Sequence, residues 1–359
     1  MSTAQDGSPS RGSRRIYVTD CEGPLTKNDN AEEIAERFIP QGAEFFARLS
    51  RYDDYLADVL QRVDYNAGDT LRLLPPFLKA FEVTDDDLEA FSAEGVLLVP
   101  GALDVLSRTR ALMPAFIIST SYTAYIRALC ELADFPLSNV RCTELSLDEW
   151  QMSESEKAWL RSQADLVMQR NLITIPDTAR GASDLTREDR DTTQFLDDLF
   201  WTQMKGRVAG DMLAAVRPIG GGMKLAALED VLAAEAVVGE DVMYVGDSIT
   251  DVEPLAAVAS WGGVALSFNG NAYALEAAEF AAASPDAEVT GDLAELFAEG
   301  GRAAVLAAVR GWPRAKKGAS PAGRERAYVG VIADELPVLA ERSAALRRSV
   351  RGERAARLG

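Results

Sequence analysis

The stretch YVTDCEGPLT, residues 17 to 26, places two carboxylates, Asp20 and Glu22, at the end of an apolar run that reads as a buried strand. Two negative charges held that close raise the energy of the site unless something positive or reactive lies between them. The chain contains no histidine. That excludes Ser-His-Asp and Cys-His nucleophile activation and histidine metal sites. Catalysis would have to rest on carboxylates, lysine, hydroxyls and a hard cation held by oxygen ligands. Further candidates follow in chain order: Ser119 ending AFIIS, Lys224 after PIGGG, and Asp247 and Asp251 in VGDSITD. Each alone has an ordinary structural explanation. Asp20 could cap a helix, GDSITD could close an Asx-turn, Lys224 could be a surface lysine, and Cys21 a small apolar filler. The GGG-x-K run lacks the GK[ST] ending of a P-loop. Their common position, at strand ends or helix starts, is more informative than any one residue.

The elements that would hold these residues recur as short apolar, β-rich runs: Ile16–Thr19, Phe116–Ser119, Val242–Val245 and Val264–Phe268. Long helical patterns, such as Leu225–Ala234 and Tyr273–Ala282, lie between them. Strands alternating with helices predict a parallel, Rossmann-like α/β sheet covered on both faces, with ligands gathered at the carboxyl ends of its strands. Two stretches break the alternation. Residues 29–99 and 146–215 are polar and helical without a convincing strand, and read as a helical cap after the first strand and a second helical insertion.

The remaining organisation follows from length and composition. At 359 residues the chain exceeds one ordinary core. A disordered tail is expected over 1–13, a catalytic core over 14–28, 100–145 and 216–300, and a linker with a last helix, around Val329–Ser349, over 301–359. The final RRSVRGERAARLG is read as a solvated helix end, with docking onto an acidic partner as the alternative. Net charge is −19, from 37 basic and 56 acidic residues, which argues against a nucleic-acid surface. Arg108 and Arg110 interrupt the best apolar run, so no membrane span is expected. Cys21, Cys130 and Cys142 show no CxxC spacing and suggest neither a disulfide framework nor a zinc site. A cytoplasmic location is the simplest expectation.

Taken in order, Asp20-Cys-Glu22-Gly23, Ser119, Lys224 and the GDxxxD of Asp247 and Asp251 resemble the four motifs of the haloacid dehalogenase superfamily. The likeness is greatest to its phosphoserine-phosphatase-like branch and covers roughly 14–35 and 100–300, apart from the 146–215 insertion. The opening stretch also resembles archaeal members labelled as hydrogenase-associated subunits. The resemblance implies a magnesium-dependent phosphatase acting on a small phosphorylated metabolite, with no nucleic acid or membrane partner. It also implies that Asp29, nine residues after Asp20, grips the substrate; the alternative is that Asp29 caps the helix beginning near Asn30.

The chemistry of such a site can be argued directly. Asp20 would attack the phosphoryl group once a Mg2+ ion, held by Asp20, Asp247 and a backbone carbonyl, removes the repulsion between two anions. Glu22, also a candidate ligand of the ion, would protonate the departing alkoxide and then activate water. Ser119, Lys224 and backbone N–H groups at Cys21–Gly23 would hold phosphoryl oxygens. Asp251 is the remaining candidate metal residue and would orient the ion's waters or Lys224. The sequence departs from the family pattern in having Glu22 for the usual Asp, Pro24 for threonine, and Thr120-Ser121 for glycines. A phosphotransferase using the same aspartyl-phosphate, and a non-catalytic subunit of a larger complex, are the alternatives.

Overall fold

The computed structural model describes residues 14–176, 178–313 and 327–352. Seven strands form one sheet: β1 (Ile16–Thr19), β2 (Ala115–Tyr122), β3 (Val140–Thr143), β4 (Val242–Gly246), β5 (Val264–Phe268), β6 (Phe280–Ala283) and β7 (Tyr328–Val331). Their spatial order is β3-β2-β1-β4-β5-β6-β7. All neighbours are parallel except β6 and β7. The protein is therefore an α/β Rossmann-like fold carrying helical insertions.

Strand β1 lies at the centre because every one of its residues is buried, as a parallel strand covered on both faces requires. Alternation sends Tyr17 into one apolar layer with Ile117, Val245 and Phe297, and sends Ile16 and Val18 into the other with Leu228, Tyr244 and Val258. The chain leaves β1 toward β2 and later returns on the other side as β4. The crevice between the carboxyl ends of β1 and β4 is thus the topological switch point, where ligands of such sheets collect.

The two insertions form a third apolar body above that edge. Phe45, Tyr52, Phe77 and Leu78 from the first share one core with Leu160, Leu196, Phe200 and Met212 from the second. Tyr52 stacks on Phe200, donates to Asp197 and accepts a hydrogen bond from the Trp201 indole at 2.9 Å. Entry and exit of the first insertion run side by side, since the Lys27 N–H donates to the Leu97 carbonyl at 2.7 Å. The Asn28 side chain joins the same two segments by donating to the Gly95 carbonyl and accepting from the Leu97 N–H.

Several expected boundaries need correction. The helical pattern over Tyr273–Ala282 is a short helix, Ala272–Ala277, followed by β6. Alanine favours helix, but Phe280–Ala283 is fully buried between β5 and β7, where small side chains suit close strand packing. The helix Glu288–Arg310 runs past the expected linker start, and most of the linker lies outside the described residues. The last element begins as the antiparallel strand β7 and continues as the helix Ile332–Arg351. Among the described residues no helix is long and apolar enough to cross a membrane.

Candidate active site

Asp20 follows β1 directly, and its N–H continues the ladder by donating to the Val245 carbonyl at 2.9 Å. The next residues close tightly. The Cys21 N–H donates to Asp20 Oδ1 at 2.7 Å, and Leu25 and Thr26 N–H groups return to the Cys21 carbonyl. Gly23 takes φ +99°, and a Cβ there would lie 2.2 Å from Asp247 Cγ. Glycine is required because the Asp247 carboxylate fills the space where a side chain would begin. The Gly23 N–H donates to the Thr26 carbonyl, so what this residue offers the site is room.

Lys224 starts the helix Gly222–Glu235 and is fully buried. Its Nζ lies 2.7 Å from Asp20 Oδ2 and 2.7 Å from Asp251 Oδ1. Burial works against its charge, yet the Asp20 and Asp251 carboxylates more than offset this and hold its pKa above the usual lysine value. Burial is the largest influence on Asp20 and raises its pKa to about 7 against the pull of Lys224. Asp251 accepts four hydrogen bonds: from Lys224, from the Tyr244 hydroxyl at 2.8 Å, and from the Asp247 and Ser248 N–H groups at 3.0 and 3.2 Å. Both its oxygens are occupied, and it fixes Lys224 and the turn after β4 together.

Asp20, Asp247 and Asp251 are all buried and bring carboxylate oxygens within 4.8 Å of one another. Asp247 Oδ1 is buried without a hydrogen-bond partner among the described residues. An orphaned carboxylate oxygen is costly unless a cation meets it. This donor set fits a hard divalent ion, with Asp247 Oδ1 as the unpartnered side-chain oxygen and Asp20, whose oxygens each take one contact, from the Cys21 N–H and from Lys224, beside it.

Glu22 points to the other side of the crevice. Its Oε1 accepts from the Ser121 hydroxyl at 2.7 Å and from the Asn30 N–H at 3.1 Å. Burial, then the charge of Asp29, raises its pKa to about 8, with Arg351, Ser121 and Asn30 opposing. Ser119 is buried within β2; its hydroxyl donates to the Ser121 hydroxyl and accepts from the Ser121 N–H, each at 3.2 Å. Asp29 Oδ1 accepts from the Glu32 N–H at 3.1 Å and so caps the helix Asn30–Phe38, while the residue also lines the cavity. That cavity, of about 100 Å³, is walled by Asp20, Glu22, Ser119 and Asp247 below and by Ser50, Asp53 and Thr70 of the first insertion above.

The structure thus gathers Asp20, Glu22, Gly23, Asp29, Ser119, Lys224, Asp247 and Asp251 at one sheet edge. Sequence reasoning missed Ser121, Tyr244, Asp53 and, most of all, Arg347 and Arg351. The arginine-rich end read as solvated docks within its own chain: the Arg347 guanidinium donates to Asp247 Oδ2 and, at 3.0 Å, to the Asp247 carbonyl. The seven residues 353–359 of that tail lie outside the described residues. The available signal was the spacing of two arginines one turn apart on a helix.

Fold and site together define an α/β Rossmann-like protein with an aspartate at the switch point, a serine toward the carboxyl end of the neighbouring strand, a buried lysine and paired aspartates after β4, the arrangement that the haloacid dehalogenase resemblance implies. Gene product AF1437 from Archaeoglobus fulgidus has a similar structure, with 27% identity, a TM-score of 0.81, and coverage of 96% of this chain and 99% of that one. Looser likenesses include a phospho-aspartyl intermediate analogue of phosphoserine phosphatase (12% identity, TM-score 0.42, 74% of this chain and 91% of that one). A probable phosphoserine phosphatase from Vibrio cholerae is similarly distant (14%, 0.42, 79% and 65%). No family model and no curated protein matches the sequence.

Proposed function

We propose that this protein is a divalent-metal-dependent phosphomonoesterase that hydrolyses a small phosphorylated metabolite through an Asp20 phosphoenzyme. The observation that carries this reading is the buried Lys224 ammonium shared between Asp20 and Asp251 at 2.7 Å, beside the orphaned Asp247 Oδ1. Six carboxyl groups line the cavity (Asp20, Glu22, Asp29, Asp53, Asp54 and Asp247) and Asp251 stands behind Lys224, against three cations (Lys224, Arg347 and Arg351). A magnesium ion held by Asp20 and Asp247 would offset part of that acidic excess and withdraw charge from the phosphoryl oxygens.

The chain's own residues then divide the work. An Asp20 carboxylate oxygen forms the bond to phosphorus as the ester P–O bond breaks. Glu22, kept protonated near neutral pH by burial, gives its proton to the departing oxygen. Glu22 next takes a proton from water, which attacks phosphorus and releases Asp20. Lys224 and the Ser119 hydroxyl would hold the phosphoryl oxygens, and Asp251 keeps Lys224 in place. The insertions roof a cavity of about 100 Å³, which favours a small ester and shields the acyl phosphate from bulk water.

The test is phosphate release from an aryl phosphate with Mg2+. Activity should vanish with EDTA and fall by orders of magnitude in Asp20→Asn, which keeps shape but removes the attacking charge. Undiminished turnover in Asp20→Asn would refute the phosphoenzyme.

A further inference from the structure

The C-terminal helix presents Arg347 and Arg351 to the crevice from one face. Their side chains are only 4% and 6% exposed. Arg351 donates to Asp247 Oδ2 at 3.2 Å, the oxygen that Arg347 also contacts, and to the carbonyls of Lys27 and Asn28 at 3.3 and 2.6 Å. It also lies 3.9 Å from Glu22 Oε2. One oxygen of Asp247 therefore meets two guanidinium groups, while the other meets no described donor.

Buried arginines are retained only where counter-charge compensates their lost hydration, and buried carboxylates likewise. Each group here supplies that for the other in the ion-free protein. We propose that Arg347 and Arg351 are a tethered counter-charge that competes with the divalent cation at Asp247, so that the C-terminal helix sets the ion affinity of the site. This rests on the metal-dependent reading of the Asp20–Asp247 crevice given above. An ion approaching Oδ1 meets a carboxylate already neutralised on Oδ2, and is repelled by two fixed positive charges in an interior that water screens poorly. Loading the ion should accordingly loosen the arginines from Asp247 and from the Lys27–Asn28 entry to the first insertion.

The experiment uses the full chain and Mn2+ as probe, titrated calorimetrically without substrate. Replacing both arginines by glutamine removes the charges, whereas replacing both by lysine keeps them. The pair Arg347→Gln and Arg351→Gln should bind Mn2+ roughly tenfold or more tighter than the native chain, and the lysine pair about as the native chain does. Unchanged or weaker binding in the glutamine pair overturns the proposal. If that pair folds only with Mn2+ present, the ion has replaced the arginines and the proposal stands. If it folds under neither condition, Arg351→Gln alone must bind Mn2+ more tightly, and backbone amides 343–351 of the native chain must exchange faster when Mn2+ is bound. Absence of either result overturns it. Equal Mn2+ binding by all proteins removes this inference alone; no binding by any removes the metal-dependent reading with it.

Discussion

Replacing Gly23 by alanine puts a methyl group where the Asp247 carboxylate now lies. The new Cβ would stand 2.2 Å from Asp247 Cγ and 2.3 and 2.6 Å from its oxygens, so the carboxylate must move. Two costs follow. Holding alanine at φ +99° costs about 1–3 kcal/mol. Pulling the carboxylate off Arg347 and Arg351 breaks a buried charge cluster, which costs roughly 3–5 kcal/mol where it cannot relax. Gly206 separates the two, because it has φ +77° with nothing within 4 Å of its would-be Cβ. Gly206→Ala should therefore lose only the backbone share, about 1–3 kcal/mol. Urea unfolding of both variants in EDTA measures the difference, expected at roughly 3 kcal/mol or more. Mn2+ titration should show the ion site lost in Gly23→Ala and intact in Gly206→Ala. Equal destabilisation of the two, or native Mn2+ binding by Gly23→Ala, would refute the view that this glycine exists to admit Asp247.

Three further outcomes are expected. Glu22→Gln cannot donate a proton, so hydrolysis of alkyl phosphates should drop far more than that of activated aryl phosphates; equal losses would rule out Glu22 as general acid. Asp29→Asn preserves the helix cap at Glu32, so stability should hold while KM rises for a native substrate that contacts Asp29; unchanged KM would leave Asp29 as a cap only. The folded-state pKa values of Asp20 (about 7), Glu22 (about 8), Asp54 and Asp69 (each about 6) are raised above their unfolded values. The folded chain then binds more protons than the unfolded chain at intermediate pH. That stability is fully present below the unfolded carboxyl pKa and is lost as pH rises through the raised values. Thermal melts in EDTA should show Tm falling between about pH 5 and pH 8, and a Tm that rises across that window would contradict it.

The strands that carry the site were legible because they obey local rules. Ile16–Thr19 is an uninterrupted β-branched or aromatic run and Val242–Val245 a short, mostly β-branched or aromatic one, and each strand is followed by an acid that buried-strand packing cannot absorb. β6 was hidden because Phe280–Ala283 has helix-forming composition, and only its place between two strands makes it extended. β3 was missed for a related reason: Val140–Thr143 is four residues long and half-buried, too short to show a period. Arg347 and Arg351 were missed because no local pattern records their partner, which lies 100 and 104 positions earlier. A count of charges at the strand ends would have called for such cations without saying where in the chain to seek them.

The shared apolar core of the two insertions bears on how this protein could be rebuilt or could have arisen. Tyr52, from the first, is held by Asp197, Phe200 and Trp201 of the second. Excising residues 146–215 would strip Phe45, Phe77 and their neighbours of cover and leave an adhesive apolar face over the catalytic edge. Exchanging the first segment alone for that of a distant homologue would do the same in reverse. The pair is one packing unit written in two places in the chain, and a chimera that respects the fold must transplant both.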